Sequence, residues 1–555
     1  MMNCAKLCCY FFLVAVNVLL VRCVGEPNII FIIADDLGWN DVSFHGSNQI
    51  LTPNIDALAY NGIILNSHYV QPSGSATKAA LLTGKYPIKL GMQGDFIQPG
   101  EARTLPEGKI LPEYLKDIGY ITHLVGKWDL GYSRWNDTPT YRGFDHFLGF
   151  YNSWTSYYDF LTTITVNVKD YSGLDLRRDT QPAWDLVGQY ATDILTDYAV
   201  NTIQQHDTTK PLFMMISHLA PHAANPAKPL EAPQDTVDKF KHIIDSGRRT
   251  YAAMVSKIDD SVGAVVTALE QKGMLENSVI IFMSDNGAPT VGEFRNWGSN
   301  FPLKGLKGTL WEGGIRSPSF ISSQLFLQKG RVSNDLIHVT DWLPTLLSAA
   351  NGDVSFLDLD IDGTDIWSSL VYNFDTTRRS TLLNIDEKNR NAALILSNFK
   401  LIVGSTKNGS YDHYYGEAGE ENIEPVAYNT SAVANSPAAQ AINKVSYSPT
   451  SEYEYMSLRD LAILRCLDSN AKRNECDLSD GGICLFNLTR DPCEEDNMVN
   501  FLPSLVRQMK RKMVEYREGL VEWQEKSLDI DKSDPKLHQY TWNPWRDCAD
   551  ASCSA

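Results

Sequence analysis

Several polar groups stand directly after apolar runs in this chain. Asp35-Asp36 follows Asn28 to Ala34, and Asp285-Asn286-Gly287 follows Val279 to Ser284. The run Tyr120 to Val125 leads to Gly126-Lys127-Trp128-Asp129, and Leu212 to Ser217 leads to His218 and His222. The carboxylates of Asp35, Asp36 and Asp285, with the amide oxygen of Asn286, form a hard all-oxygen donor set. Such a set suits Ca2+, with Mg2+ as the other candidate, and lacks the thiolates and imidazoles that softer metals prefer. A divalent cation would relieve the repulsion among these acids and polarise an anionic ligand. Taken one at a time, Asp-Asp and Asp-Asn pairs are ordinary helix caps or turn formers. Their joint placement after four apolar runs favours the metal reading.

The elements that must position these groups are legible in the same runs. Near-continuous apolar segments indicate strands covered on both faces, as in a parallel sheet. Helix signals lie between them: Thr52 as N-cap with Pro53 in the first turn, and a periodic stretch from Tyr251 to Leu269 that stops at Gly273. This alternation predicts an α/β fold with a mostly parallel sheet, whose ligands gather beyond the carboxyl ends of the strands. From about Ser405 to Glu454 the chain turns Ser-, Asn-, Ala- and Tyr-rich and reads as a long surface excursion. Lys400 to Val403 reads as a strand of a second unit. Leu502 to Trp523 reads as a helix with Leu505, Met509, Met513 and Tyr516 on one side. The expected organisation is residues 1–25 as a signal peptide, 26–377 as a large α/β domain, and 378–555 as a smaller α+β domain.

The 555 residues carry 49 Lys plus Arg against 67 Asp plus Glu, a formal charge of −18, with 43% hydrophobic residues. This is a globular composition, and its acidity argues against nucleic-acid binding and against adhesion to anionic membranes. Lys6, the apolar stretch Tyr10 to Val21 and the small residues near Gly25 read as a secretory signal peptide, which leaves no transmembrane anchor in the mature chain. The expected destination is extracellular or lysosomal. Cys466, Cys476, Cys484, Cys493, Cys548 and Cys553 are the cysteines that remain after it, enough for up to three disulfides of undetermined pairing. Asn136, Asn408, Asn429 and Asn487 each begin a glycosylation sequon.

The ordered motifs Asp35-Asp36-Leu37-Gly38-Trp39, Leu81-Leu82-Thr83-Gly84-Lys85-Tyr86, Gly126-Lys127-Trp128, Arg142-Gly143-Phe144-Asp145, Asp285-Asn286-Gly287 and Leu310-Trp311-Glu312-Gly313-Gly314 resemble the sulfatase family. The likeness is to its arylsulfatase B-like branch, within the alkaline-phosphatase superfamily. It implies an α/β/α sandwich with a smaller C-terminal α+β domain carrying a small antiparallel sheet. It also implies Ca2+ at Asp35, Asp36, Asp285 and Asn286, sulfate held by Lys127 and Lys307, and His222 assisting the leaving oxygen.

The resemblance fails where the family makes its nucleophile. Sulfatases oxidise the cysteine of Cys-x-Pro-Ser-Arg to formylglycine, whereas the corresponding stretch here is Gly74-Ser75-Ala76-Thr77-Lys78. Glycine has no side chain to oxidise, so no formylglycine is expected. Lys78 replaces an arginine and loses its bidentate fork. Asp129 replaces a histidine that helps break down the covalent sulfo-intermediate. The first reading is a secreted glycoprotein that keeps a metal and anion pocket but has lost the formylglycine route, binding a sulfated small molecule, a sulfated glycan or a protein partner. The second is an active sulfate or phosphate ester hydrolase that uses Ser75, Ser73 or metal-bound water instead.

Overall fold

The computed structural model describes residues 25–547 except 293, 358–360, 419–425, 469 and 524–526. The expected signal peptide, and Cys548 and Cys553, therefore lie outside the described residues. Ten strands form the main sheet in the spatial order Arg331–Ser333, Ile63–Leu65, Phe320–Ser323, Ser278–Ser284, Asn28–Ala34, Leu212–Ser217, Ile121–Lys127, His146–Phe150, Arg177–Arg178 and Gln181–Pro182. The pairings from Ser278–Ser284 across to His146–Phe150 are all parallel, and antiparallel strands join at both flanks. This is the expected α/β architecture.

The strand Asn28–Ala34 shows why the layers form. Successive side chains point to opposite faces. Ile30, Ile32 and Ala34 enter a core shared with the helices Pro53–Tyr60, Ala191–Gln205 and Ser246–Gln271, while Ile29, Phe31 and Ile33 enter one shared with Gly74–Thr83 and Trp342–Ala349. The helix Pro53–Tyr60 begins where Thr52 predicts, but the Thr52 side chain caps nothing. Its first amides donate instead to the Asp259 carboxylate, from Asn54 at 2.9 Å and Ile55 at 2.8 Å. A distant helix thus supplies the cap.

The stretch read as a surface excursion differs from expectation. Its described residues include the helices Thr430–Ala434 and Pro437–Val445, with Glu452–Ala462 closing it, and Asn429, Ser436 and Ser451 accept at their first turns. Ala438, Ala439, Ile442, Tyr455 and Leu458 are buried in the large-domain core. These helices are only 5, 9 and 11 residues long, short for a 3.6-residue period to be read in a Ser-, Asn- and Ala-rich stretch.

The strands Ser380–Asp386, Asn391–Leu396, Phe399–Val403 and Ile483–Asn487 make the expected small antiparallel sheet. The helix Pro503–Arg517 covers one face with Val506 and Met509, and Leu505, Met513 and Tyr516 lie on the same side. The other face packs on Tyr69, Leu310, Trp311 and Ile315 of the large domain. Disulfides Cys466–Cys493 and Cys476–Cys484 staple this region. Asn136, Asn408 and Asn429 are exposed, and Asn487 is half-buried.

Between the two units, the buried Lys400 ammonium lies 2.8 Å from Glu312 Oε1 and 2.8 Å from Glu494 Oε1. Glu312 also has Arg316 at 3.0 Å and the Tyr69 hydroxyl at 2.9 Å, so Glu494 is the poorer partner. Burial, with Glu312 alongside, pushes the Glu494 carboxyl from 4.5 up to about 7 against the pull of Lys400. Between those values the folded state holds a proton that the unfolded state lacks, so this group's stabilisation is present on the acid side and lost as pH rises through about 7. Thermal melts at pH 5 and pH 8 are expected to show Glu494→Gln narrowing the gap between the two conditions relative to the unaltered protein.

Candidate metal and anion site

In an extended strand, neighbouring side chains diverge, so Asp35 and Asp36 would not meet a common ligand by strand geometry alone. The chain solves this by turning at once: Asp36 takes φ of +65°, a left-handed conformation that aspartate tolerates better than most residues. Asp129, two residues beyond the end of its strand, does the same at +59°. Asp285 leaves the neighbouring strand, Lys127 ends a third, and His222 lies in the loop after Leu212–Ser217. Gly74 opens the helix Gly74–Thr83, with Lys78 one turn along it.

These side chains converge into a buried network of ion pairs. Lys127 Nζ lies 2.6 Å from Asp35 Oδ2, Lys78 Nζ lies 2.7 Å from Asp285 Oδ2, and Lys307 Nζ lies 2.6 Å from Asp36 Oδ1. The Asn286 amide donates to Asp36 Oδ1 at 2.5 Å, and the Asp36 amide donates to Asp285 Oδ1 at 3.1 Å. Asp129 Oδ1 accepts from Ser75 at 2.7 Å and from Ser153 at 2.6 Å. Its Oδ2 faces Lys127 at 3.6 Å and Lys78 at 3.8 Å. Burial and the neighbouring acids push the Asp35 and Asp36 carboxyls upward, whereas at Asp285 burial is overcome by Lys78, Lys127 and Lys307, which hold it below the usual carboxylate range. Burial also depresses the His222 imidazole, helped by Lys307 and Lys127. Its Nδ1 faces the Ala223 carbonyl at 2.5 Å, which makes Nδ1 the donor and leaves Nε2 bare, 3.5 Å from Asp36 Oδ2.

A hard cation fits this set. Asp35 Oδ1, Asp36 Oδ2 and Asn286 Oδ1 are buried without a hydrogen-bond partner among the described residues. Donor atoms of Asp35, Asp36 and His222 lie within 4.8 Å of one another. Orphaned buried oxygens of this kind carry a desolvation cost that a bound ion removes.

Position 74 is sterically committed. A Cβ there would overlap the Asp285 carboxylate and stand 3.2 Å from both Asp129 Oδ2 and Lys78 Nζ. The space beside it is a cavity of about 10 Å³ bounded by Lys127, Ser153, His222 and Lys307 and roofed by Phe96, Trp154 and Phe294, room for a single water. Outside it, a cleft of about 130 Å³ between the two units shares Phe96, Phe294 and Lys307 and is walled by Asn384 and Tyr411. Ser73 lines that outer cleft and donates to the Gly94 carbonyl at 3.2 Å, whereas Ser75 faces Asp129 and does not border the inner cavity.

The site residues expected from sequence reach this locus except Ser73, which lines the outer cleft, and His218, which faces Ser261 of a flanking helix at 3.2 Å. Ser153 was not anticipated, although it follows the strand His146–Phe150 and the strand-end rule would have found it. Thr77, whose hydroxyl donates to the Asp285 carbonyl at 2.6 Å, and the three-ring roof carry no such signal.

The sulfatase family profile matches residues 27–352. The chain is 37% identical to mouse arylsulfatase J over 526 residues, covering 94% of this chain and 80% of that one. It is 31% identical to human arylsulfatase A over 374 residues, covering 64% and 69%. Among solved structures, Ps i-CgsB in complex with k-i-k-neocarrahexaose superposes with a TM-score of 0.69 at 25% identity, covering 93% of this chain and 98% of that one. That fold, those motifs and these relatives together establish that the chain belongs to the sulfatase family.

Proposed function

We propose that this protein is a sulfatase-family member that binds a divalent cation and a sulfated glycan, or a smaller sulfated molecule, without hydrolysing it by the formylglycine route. The observation that carries this reading is position 74, where glycine offers no side chain to oxidise and where a Cβ would require the Asp285 carboxylate to move aside. Asp35, Asp36, Asp285 and Asn286 are the cation ligands in this reading, and Ca2+ is the favoured ion, with Mg2+ second. When bound, the ion supplies Lewis-acid polarisation of an anionic ligand. Lys307 attracts sulfate oxygens as a point charge, Lys127 behind it adds positive potential, and neutral His222 leaves Nε2 to accept from a ligand hydroxyl.

The hydrolytic alternative needs a substitute hydroxyl, and neither candidate is well placed. Ser75 is committed to Asp129 and shut away from the cavity, and Ser73 opens onto the outer cleft, where its hydroxyl donates to the Gly94 carbonyl. A reacting atom must approach within about 3–3.5 Å in line for displacement. A sulfated saccharide as ligand is supported by the outer cleft and by the similarity to Ps i-CgsB, which is solved with k-i-k-neocarrahexaose. The described helices include none long and apolar enough to cross a membrane. The sequon-bearing, disulfide-stapled chain accords with secretion to the cell exterior or a lysosome.

Purified protein offered an aryl sulfate and an aryl phosphate from acidic to neutral pH, with Ca2+ or Mg2+ and with chelator, is expected to show no turnover above buffer. Turnover that Asp285→Ala abolishes would overturn the proposal. Gly74→Cys is expected to stay inactive, because Ala76, Lys78 and Asp129 remain unlike the family's maturation and turnover residues. In a thermal melt, Ca2+ at one hundred times its Kd should stabilise the fold by about 2.7 kcal/mol. Asp36→Ala should erase that gain, and an unaltered protein indifferent to Ca2+ would remove the cation from the account.

A further inference from the structure

We propose that Asp129 is a built-in anion: its carboxylate occupies the seat in which Lys78 and Lys127 would otherwise receive an anionic group from a ligand. Two hydroxyls and two ammonium groups converging in a buried space make an anion receptor, and here all four face one side chain of the same protein. Ser75 and Ser153 hold Oδ1 at 2.7 and 2.6 Å, which fixes the carboxylate and aims Oδ2 at the lysines. Oδ2 has no hydrogen-bond partner among the described residues and stands 3.6 Å from Lys127 and 3.8 Å from Lys78. Each lysine makes a shorter pair with Asp35 or Asp285 on its other side, so Asp129 closes the remaining approach.

The glycine at 74 belongs to the same arrangement. A Cβ there would lie 3.2 Å from Asp129 Oδ2, tighter than an unstrained carbon–oxygen contact, so the carboxylate keeps its room because position 74 has no side chain. The water-sized cavity left beside it cannot admit the four oxygens of a sulfate group. A ligand's sulfate is therefore directed outward to Lys307, 17% exposed, at the junction with the outer cleft. The assignment of sulfate as the ligand's anionic group rests on the proposed function, whereas the occupancy of the inner seat rests on the geometry above.

Removing the Asp129 carboxylate should turn the seat into a binding site for an added anion. Asp129→Ala vacates both the charge and the volume, whereas Asp129→Asn removes the charge and still fills the seat. In chloride buffer at constant ionic strength, both variants are expected to melt below the unaltered protein. Millimolar inorganic sulfate is expected to raise the melting temperature of Asp129→Ala while leaving the unaltered protein and Asp129→Asn nearly unmoved. Calorimetry should show sulfate binding to Asp129→Ala at least tenfold tighter than to the unaltered protein, with the gain lost in Asp129→Ala/Lys78→Ala. An equal sulfate response in the unaltered protein and Asp129→Ala, or no response in Asp129→Ala, overturns the proposal. Should Asp129→Ala refold only when sulfate is present, that dependence supports it; if it never refolds, Asp129→Gly, which also vacates the volume and suits the left-handed backbone there, decides. Aryl sulfate turnover by the unaltered protein would refute the proposed function and leave this comparison standing.

Discussion

Four buried carboxylates share the carboxyl edge of the central sheet: Asp35, Asp36, Asp129 and Asp285. Each ionised group taken from water costs several kcal/mol unless compensated nearby, and here each also repels the others. Three lysines answer them, Lys127 against Asp35, Lys78 against Asp285 and Lys307 against Asp36, while Asp129 shares the first two. The neutral His222 adds no charge, so the cluster is one positive charge short, which a divalent cation more than makes good. This balance governs the rest of the site. It explains why an intact-looking set of acids and lysines does not by itself signify turnover: deleting any of the lysines strands a carboxylate in the interior.

The parallel sheet is what makes such crowding unavoidable. Asn28–Ala34, Ser278–Ser284 and Ile121–Lys127 lie within four adjacent parallel strands and all point the same way, so their following residues emerge at one edge. Left-handed turns at Asp36 and Asp129 then rotate carboxylates into a common space that strand alternation would have divided. Within that space, Gly74 opens a helix, and the Asp129 carboxylate, arriving from another loop, stands 3.2 Å from where a Cβ at that position would lie.

Much of this was legible in the residues themselves. Buried strands announce themselves by continuous apolar runs, and polar residues at their ends mark the ligand edge, which located Asp35, Asp36, Lys127, Asp129, His222, Asp285 and Asn286. Other features depend on partners far apart in the chain. Thr52 has the composition of a cap, yet Asp259 does the capping from 205 residues away. The helices beyond Asn429 are too short, at 5, 9 and 11 residues, for their periodicity to stand out. Ser153 and Ser75 become meaningful only once Asp129 is known to turn toward both, and the Phe96–Trp154–Phe294 roof assembles from three loops with no shared motif.

A family fold does not by itself fix a family reaction. In the proposed reading the sheet, the charge cluster and the cleft form an anion-recognising scaffold, and the attacking group is the part that Gly74 does not supply. The most direct measurement is a crystal structure of the Ca2+-loaded, unaltered protein after prolonged soaking with a sulfated oligosaccharide. The account predicts density for an intact ester at the Lys307 mouth, with Asp129 still seated between Lys78 and Lys127. A desulfated sugar, or a sulfate covalently attached to Ser73 or Ser75, would contradict it.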